Sequence, residues 1–181
     1  MATEKIIMAG FGGQGVMSMG QLLTYSGMIE DKQVSWLPSY GPEMRGGTAN
    51  CSVIVSDNLI GSPIITEDAT AIIVMNLPSL LKFEKNLRAG GKALINSSLI
   101  EKKADRDDVE AYYIPANEIA NEIGNARVAN MVMLGAYLEL TKIVSVDAVV
   151  EAFKKVYGAT KEHLIPLNKE ALERGAAVVR G

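Results

Sequence analysis

Residues 6–16 read Ile6-Ile7-Met8-Ala9-Gly10-Phe11-Gly12-Gly13-Gln14-Gly15-Val16, an apolar strand that leads through a glycine-rich turn into a helix. The spacing of Gly10, Gly12 and Gly15 is G-x-G-x-x-G, in the strand-to-helix context that gives the motif its meaning. Glycine permits a tight turn and lets backbone N–H groups approach an anion at the positive end of the helix dipole. We call residues 10–15 the glycine turn and predict that it binds a phosphate or carboxylate. A turn that binds nothing is the alternative, because such turns are common in α/β folds. The predicted binding residues of the turn are Gly10, Gly12, Gly13, Gln14 and Gly15.

The composition is that of an ordinary globular chain. It has 181 residues, of which 48% are hydrophobic and 22% charged, so we expect one domain over residues 1–181. A net charge of -3 gives no electrostatic reason to bind nucleic acid or an anionic membrane. No signal peptide and no apolar run of about 18 residues is visible, which predicts a cytoplasmic protein.

The chain contains a single cysteine and a single histidine, and this excludes much chemistry. Cys51 has no partner for an internal disulfide, and a cysteine-held iron–sulfur cluster typically needs about four thiolates. Its apolar surroundings predict a small core residue rather than a nucleophile. His163 has no second histidine or cysteine near it in sequence, so we predict a surface or helix-start residue rather than a metal ligand.

Alternating apolar stretches predict an α/β fold of three layers. We expect a Rossmann-like, mostly parallel sheet with helices on both faces and a helical C-terminal third. A candidate antiparallel hairpin joins the strand at 49–56 to a returning segment at 59–60. The second strand is expected to stop at Pro38, a helix over 79–87 to end before Gly90, and residues 101–110 to form a solvated connection. The predicted strands are 4–9, 33–37, 49–56, 71–75, 92–96 and 111–114, and the later helices are 117–123, 128–143, 146–157 and a last helix striped by Leu164, Leu167, Leu172, Ala176 and Val179.

The loop over residues 38–48 is the second candidate for function, because it is rich in proline and glycine and carries a tyrosine, a glutamate and an arginine. It follows the second strand, so in a parallel sheet it leaves from the same edge as the glycine turn. Arg45 could bind a carboxylate or phosphate through its planar guanidinium, or could form an ion pair with Glu43. The predicted binding residues here are Tyr40, Arg45, Gly46 and Gly47. Asn130, at a mostly apolar helix start, is predicted either to satisfy a backbone group or to contact a ligand.

A conventional dinucleotide site is only half present. It requires an acidic residue about 20 positions after the glycines, at the end of the second strand, to hold the ribose. That strand ends Trp36-Leu37-Pro38-Ser39, and Glu30 and Asp31 come too early. A regulatory module that senses NAD or an adenine nucleotide therefore remains the alternative function. No catalytic residue and no metal ligand is predicted.

Three segments together resemble the γ subunit, or γ domain, of 2-oxoacid:ferredoxin oxidoreductases. They are residues 10–16, residues 38–47 and residues 130–136, the last reading Asn130-Met131-Val132-Met133-Leu134-Gly135-Ala136. The resemblance covers essentially the whole chain. The loop spelling is most similar to the 2-oxoglutarate type, with the pyruvate and branched-chain types as close competitors.

This resemblance implies coenzyme A-dependent oxidative decarboxylation of a 2-oxoacid by a complex containing thiamine diphosphate and iron–sulfur clusters, with electrons passed to ferredoxin. The chain lacks the thiolates for a cluster and any Gly-Asp-Gly thiamine signature, so both cofactors are expected on partner subunits. The implied partners are α and β subunits, with δ as a further candidate. The chain is expected to be inactive alone, and its apolar partner surface favours a homodimer when isolated.

Overall fold

The computed structural model describes residues 1–40 and 48–181, with the backbone alone at Tyr40. Strands and helices alternate over the first half, and helices dominate the last third. The strands are β1 (Thr3–Phe11), β2 (Gln33–Tyr40), β3 (Thr48–Ser56), β4 (Ala69–Val74), β5 (Leu87–Asn96) and β6 (Glu110–Ile114). The helices are α1 (Val16–Ile29), α2 (Leu77–Phe83), α3 (Ala116–Ile123), α4 (Ala129–Thr141), α5 (Val146–Tyr157) and α6 (Ile165–Arg180). Short 3-10 turns occupy Glu84–Asn86, Ala126–Val128 and Ala159–Leu164.

The six strands form one mixed sheet in the order β2-β3-β1-β4-β5-β6. Strands β1, β4, β5 and β6 pair in parallel, whereas β3 is antiparallel to both of its neighbours. All strands except β3 therefore point the same way, and we call the edge at which those five strands end the carboxyl edge. The expected α/β fold with a mostly parallel sheet is confirmed.

Apolar side chains alternate between the two faces of the sheet and build two cores. In β1, Ile6 and Met8 face the larger core beneath α1 and α3 to α6, and Ile7 and Ala9 face the smaller core beneath α2. Helices therefore cover both faces, as predicted, but very unequally.

Helices α4 and α6 cross at a pair of glycines in the larger core. A Cβ atom on Gly135 would overlap the carbonyl oxygen of Leu172, and one on Gly175 would overlap the carbonyl oxygen of Val132. The two backbones approach each other so closely that neither position has room for a methyl group. Gly135 lies in the third of the segments that carry the family resemblance.

Two predicted strand limits were wrong, because a β-sheet tolerates proline on an edge strand and glycine in a bulge. Strand β2 continues through Pro38 to Tyr40, because β2 is an edge strand and a proline there need not interrupt an inner ladder. Strand β5 begins at Leu87 and passes Gly90 as a bulge, with φ of +78° at that glycine and a register shift opposite Ala69 and Ala71. The predicted helix to residue 87 correspondingly ends at Phe83.

The antiparallel hairpin exists, but not where the sequence placed it. It is formed by β2 and β3 themselves, and residues 59–60 are not in a strand. Nor is the stretch 101–110 simply solvated. Ala104 and Val109 pack on the smaller core, and the buried Glu84 carboxylate accepts hydrogen bonds from the backbone N–H groups of Asp105 and Arg106 at 2.7 and 3.0 Å.

Candidate functional site

The glycine turn lies at the carboxyl edge, at the end of β1. Gln14 closes it, since its Oε1 accepts a hydrogen bond from Phe11 N at 2.6 Å and its own N–H donates to the Phe11 carbonyl at 3.2 Å. Gln14 was predicted as a ligand-contacting residue. The structure shows its side-chain oxygen engaged within the turn, where it fixes the turn's shape.

Each glycine in the turn meets a different requirement. Gly10 is buried and close-packed, because a Cβ there would lie 2.6 Å from Gln14 Oε1 and 2.9 Å from Met75 Cβ. Gly13 and Gly15 have φ of +91° and +75°, which L side chains rarely adopt. Gly12 and Gly13 are exposed. The turn therefore presents bare backbone to its surroundings.

Helix α1 begins directly after this turn without any local compensation. Gly15 is its N-cap, no side chain caps the helix, and its first turn contains no acidic residue. Because the first N–H groups of a helix lack intrahelical partners, this end of α1 carries partial positive charge and free donors. The arrangement can hold an anion through backbone atoms.

Asn130 lies behind the turn, at the start of α4. It is 7% exposed, and its Nδ2 donates to the Gly15 carbonyl at 3.1 Å. A Cβ on Gly15 would overlap that same Nδ2 atom. The interpretation that Asn130 satisfies a backbone group is thus confirmed, and the contact joins two segments 115 residues apart in sequence.

A cleft of about 560 Å³ opens between the glycine turn and the C-terminal helices. Gly13, Gly15, Ser18 and Asn130 line its wall on the turn side. Two basic residues that sequence analysis did not single out, Arg127 and Lys161, also line the cleft. Both occur in short 3-10 turns, where no periodic pattern marks a position as facing a site.

The loop predicted to join the site begins and ends at the same edge. Phe11 at the end of β1 pairs with Thr48, so that end of the loop lies beside the glycine turn. Tyr40 pairs with Ala49, so the other end lies at the same edge but one strand further away. The side chain of Tyr40 and the residues Arg45, Gly46 and Gly47 lie outside the described residues. Their predicted binding roles stay predictions.

The positions of Cys51 and His163 agree with their predicted roles as a core residue and a surface residue. Cys51 is buried, and this burial raises the pKa of its thiol to about 12. Its Sγ–H donates a hydrogen bond to the Val16 carbonyl at 3.8 Å. Such a thiol stays protonated and unreactive. His163 is exposed, as predicted. Within residues 1–40 and 48–181 there is no group of three or more His, Cys, Asp or Glu side chains arranged to hold a metal ion. No helix in this part of the chain has the length and hydrophobicity needed to cross a bilayer.

Fold and site together define an α/β domain whose sheet edge presents backbone donors. The family of pyruvate ferredoxin/flavodoxin oxidoreductases matches residues 5–178, so the chain belongs to this family. The predicted resemblance is confirmed.

Two kinds of relative show how the domain is used elsewhere. Ketoisovalerate oxidoreductase subunit VorA of Methanothermobacter marburgensis is 38% identical over 175 residues, which are 95% of this chain but 36% of the relative. The chain thus spans about a third of the length of such relatives. The 2-oxoglutarate synthase subunit KorC of the same organism is 37% identical over 158 residues, which are 83% of this chain and 84% of the relative.

Solved structures agree with the fold. The γ subunit of a keto/oxoacid ferredoxin oxidoreductase from Geobacter sulfurreducens has a TM-score of 0.82 and 30% identity, with 98% of both chains covered. A 2-oxoglutarate:ferredoxin oxidoreductase from Magnetococcus marinus, with 2-oxoglutarate, coenzyme A and succinyl-CoA bound, has a TM-score of 0.89 at 24% identity. The superposed region includes 99% of this chain and 31% of the Magnetococcus marinus chain.

Proposed function

We propose that this chain is the γ subunit of a 2-oxoacid:ferredoxin oxidoreductase, cytoplasmic and inactive without its partner subunits. The observation that carries the proposal is the family match over residues 5–178, joined to a KorC relative of similar length. The partners are α and β subunits, with δ as a further candidate, and ferredoxin accepts the electrons from the complex.

Thiamine diphosphate and the iron–sulfur clusters belong on the partner subunits in this proposal. The one cysteine of the chain is buried and protonated, so it does not fit a cluster. Oxidation of the 2-oxoacid and the single-electron steps therefore take place on other chains. This division of labour fits a chain that offers a candidate anion-binding edge and, among the residues that the structure describes, no assigned acid, base or nucleophile.

The role left for this chain is to hold an anionic group of coenzyme A at the subunit junction. The backbone N–H groups at Gly12, Gly13 and Gly15 and at the start of α1 fit such a group, because the helix has no side-chain cap and the three glycines lie exposed or half-buried. Arg45 is proposed as a second contact from the loop at the same edge. When bound, coenzyme A supplies the thiol that takes up the acyl group.

For the substrate, 2-oxoglutarate is the first choice and 2-oxoisovalerate the second. KorC relatives match this chain over most of their own length, which favours 2-oxoglutarate. The VorA relatives have slightly higher identity, 38 and 39%, which favours the branched-chain acid.

The test is reconstitution. The chain purified alone should not oxidise any 2-oxoacid, and the complex assembled with its partners should reduce ferredoxin only when 2-oxoacid and coenzyme A are both present. Comparing 2-oxoglutarate, pyruvate and 2-oxoisovalerate then ranks the substrates. Full activity of a complex from which this chain has been omitted would contradict the proposal.

Two variants address the glycine turn and the loop within that complex. Gly12→Val places a bulky side chain over the exposed turn, and Arg45→Ala removes the guanidinium. Each should lower coenzyme A-dependent turnover at least about tenfold, equivalent to ~1.4 kcal/mol of barrier. Gly61→Val is the matched control, because Gly61 is exposed and has open space around it. If turnover were unchanged in both test variants, the chain would have only a structural role in the assembly of the complex.

A further inference from the structure

Among the described helices, α2 alone contributes side chains to the smaller core, and it has seven residues. Leu80 and Phe83 belong to that core, whereas Leu77 and Leu81, one helical turn apart, are 38% and 55% exposed. Five helices cover the larger core. The smaller-core side of the sheet is therefore thinly covered, and its one helix carries apolar residues on its outer as well as its inner side.

Two further exposed apolar residues lie near α2 at the carboxyl edge. Phe11 is the last residue of β1 and points to the smaller-core side, because side chains alternate along a strand. Leu99 comes three residues after β5, and the next residue, Ile100, belongs to the smaller core. Since β1, β4 and β5 are neighbours about 5 Å apart, Phe11, Leu77 and Leu99 lie at the ends of three adjacent strands. We call Phe11, Leu77, Leu81 and Leu99 the apolar patch.

Exposed apolar residues on the other side of the sheet are distributed differently. Tyr25, Met28, Val146 and Val178 are spread over three helices, α1, α5 and α6. Apolar residues scattered singly over a surface need no partner, whereas a group of neighbouring ones marks an interaction site. The apolar patch is such a group.

The exposed charge beside the apolar patch is positive. Lys82 and Lys85 follow Leu81 along the same helical stretch, and neither forms an ion pair with another described residue. The intervening Glu84 is buried, and its carboxylate accepts hydrogen bonds from two backbone N–H groups. A complementary surface therefore presents carboxylates around an apolar centre. A second copy of this chain does not, because it would bring like charges together.

The position of the apolar patch selects its occupant. Coenzyme A at the glycine turn must reach thiamine diphosphate for acyl transfer, so the subunit that carries thiamine diphosphate has to approach the carboxyl edge. Phe11 belongs both to the apolar patch and to the glycine turn. A subunit seated on the apolar patch therefore reaches the turn from the side opposite to the cleft.

We propose that the thiamine-bearing partner subunit docks on the apolar patch, with its carboxylates facing Lys82 and Lys85. The inference rests on the proposed function and deepens it, because it assigns the subunit junction to the thinly covered side of the sheet. Phe11, at the end of β1, is the point at which this junction meets the glycine turn.

Site-directed photo-cross-linking in the reconstituted complex identifies the occupant. The one native thiol, Cys51, is buried and protonated, so an introduced cysteine is the one that takes up a benzophenone maleimide label. From Leu81→Cys, the label should capture the subunit that binds thiamine diphosphate, identified by mass spectrometry. Met28→Cys, at a residue of α1 that is 54% exposed, is the matched control and should not capture it. Capture of another subunit, of ferredoxin or of a second copy of this chain from Leu81→Cys would overturn the proposal.

Titration of the partner subunits, assembled without this chain, measures the strength of the contact. Leu77→Ser combined with Leu81→Ser should raise the half-saturating concentration of the chain about tenfold or more. Lys82→Glu combined with Lys85→Glu should raise it about fivefold, and this effect should shrink as the salt concentration rises, because salt screens exposed charges. All four residues are exposed, so circular dichroism should show an unchanged fold.

Matched controls change equally exposed residues of the helical layer. Tyr25→Ser combined with Met28→Ser removes two apolar side chains that are 37% and 54% exposed. Lys155→Glu combined with Lys169→Glu reverses two exposed charges. Both double variants should assemble as the wild type does. Equal weakening by these controls and by the variants of the apolar patch would overturn the proposal.

The inference and the proposed function fail in different ways. If the chain assembles with no partner subunit, both fail. If the complex assembles and oxidises its 2-oxoacid while the variants of the apolar patch bind as the wild type does, this inference alone fails.

Discussion

Glycines in two regions of this molecule have opposite purposes. In the glycine turn, Gly13 and Gly15 supply backbone angles that other residues rarely adopt, and the turn stays exposed. At the crossing of α4 and α6, Gly135 and Gly175 have ordinary helical angles but no space for a side chain. Gly13 and Gly15 leave the backbone of the turn accessible, whereas Gly135 and Gly175 allow the backbones of two helices to come into contact.

The difference shows what a substitution at each place should do. A side chain at the crossing pushes against rigid backbone in the core, so the damage spreads through the helical layer. A side chain in the turn meets local strain or one flexible neighbour, so the damage stays near the site. We therefore expect the crossing to govern stability and the turn to govern binding.

The largest effect should follow Gly175→Ala. Its Cβ would overlap the Val132 carbonyl, so α6 must move away from α4. Overpacking a core typically costs about 1–3 kcal/mol of unfolding free energy and occasionally more, and because the overlap here is with backbone, we expect about 3 kcal/mol. Urea denaturation measures it, with Gly61→Ala as the control at an exposed glycine with open surroundings, expected to change stability by less than about 0.5 kcal/mol. If Gly175→Ala kept the unfolding free energy of the wild type, the helix crossing would not govern stability as we expect.

A smaller loss should follow Gly15→Ala. The residue must adopt φ near +75° and displace the Asn130 amide, which together cost about 1–3 kcal/mol. Gly13→Ala has the same strained φ but open space around it, so it should cost less. The difference between the two melting temperatures isolates the contact with Asn130. Equal decreases in melting temperature would show that the contact with Asn130 contributes nothing to stability.

Asn130→Ala should cost about 0.5–1.5 kcal/mol, because it removes the side-chain hydrogen bond to the Gly15 carbonyl, which keeps only the bond from the Met19 backbone N–H. Unlike the crossing variants, it should also lower coenzyme A-dependent turnover of the assembled complex through a displaced glycine turn. Denaturation and turnover measured on the same preparations distinguish the two consequences. Lost stability with intact turnover would separate Asn130 from the function of the turn.

The smallest effect concerns charge at the crossing. Arg180 of α6, and then Lys142, hold the pKa of Glu139 on α4 down at about 2, against an ordinary value of 4.5. A lowered carboxyl pKa stabilises the fold above the unfolded value, and this contribution is lost as pH falls from about 4.5 to 2. Glu139→Gln should therefore lose less stability over this pH range than the wild type. Denaturation at several pH values measures it, and Glu170→Gln, at an exposed residue without a described ion pair, serves as the control.

Local signals in the sequence predicted local structure well. The Ser145 side chain caps α5 through the N–H of Ala148, Asn76 caps α2 through Ser79, and Gly124 ends α3 with φ of +103°. These features depend on neighbours within a few residues, which the sequence displays directly. The glycine turn belongs to the same class.

What the sequence could not show depends on distant partners. Pro38 is tolerated because β2 lies at an edge of the sheet, and β3 is antiparallel because of its pairing with β1. Neither the strand order nor this pairing can be recognised from a local sequence pattern. Arg127 and Lys161 line one cleft although they lie in two different short turns, 34 residues apart in sequence. Asn130 was identified as a candidate, but its partner at Gly15 is 115 residues away.

The position of β3 has a practical consequence for protein engineering. In this sheet β3 lies between β1 and β2, so the end of β2 is two strand spacings, about 10 Å, from the end of β1. An aspartate installed at Ser39 to mimic a ribose-binding carboxylate would stand one strand too far from the glycine turn. Redesign of this scaffold toward nicotinamide dinucleotides would have to begin by rearranging strands, and no single acidic substitution would suffice.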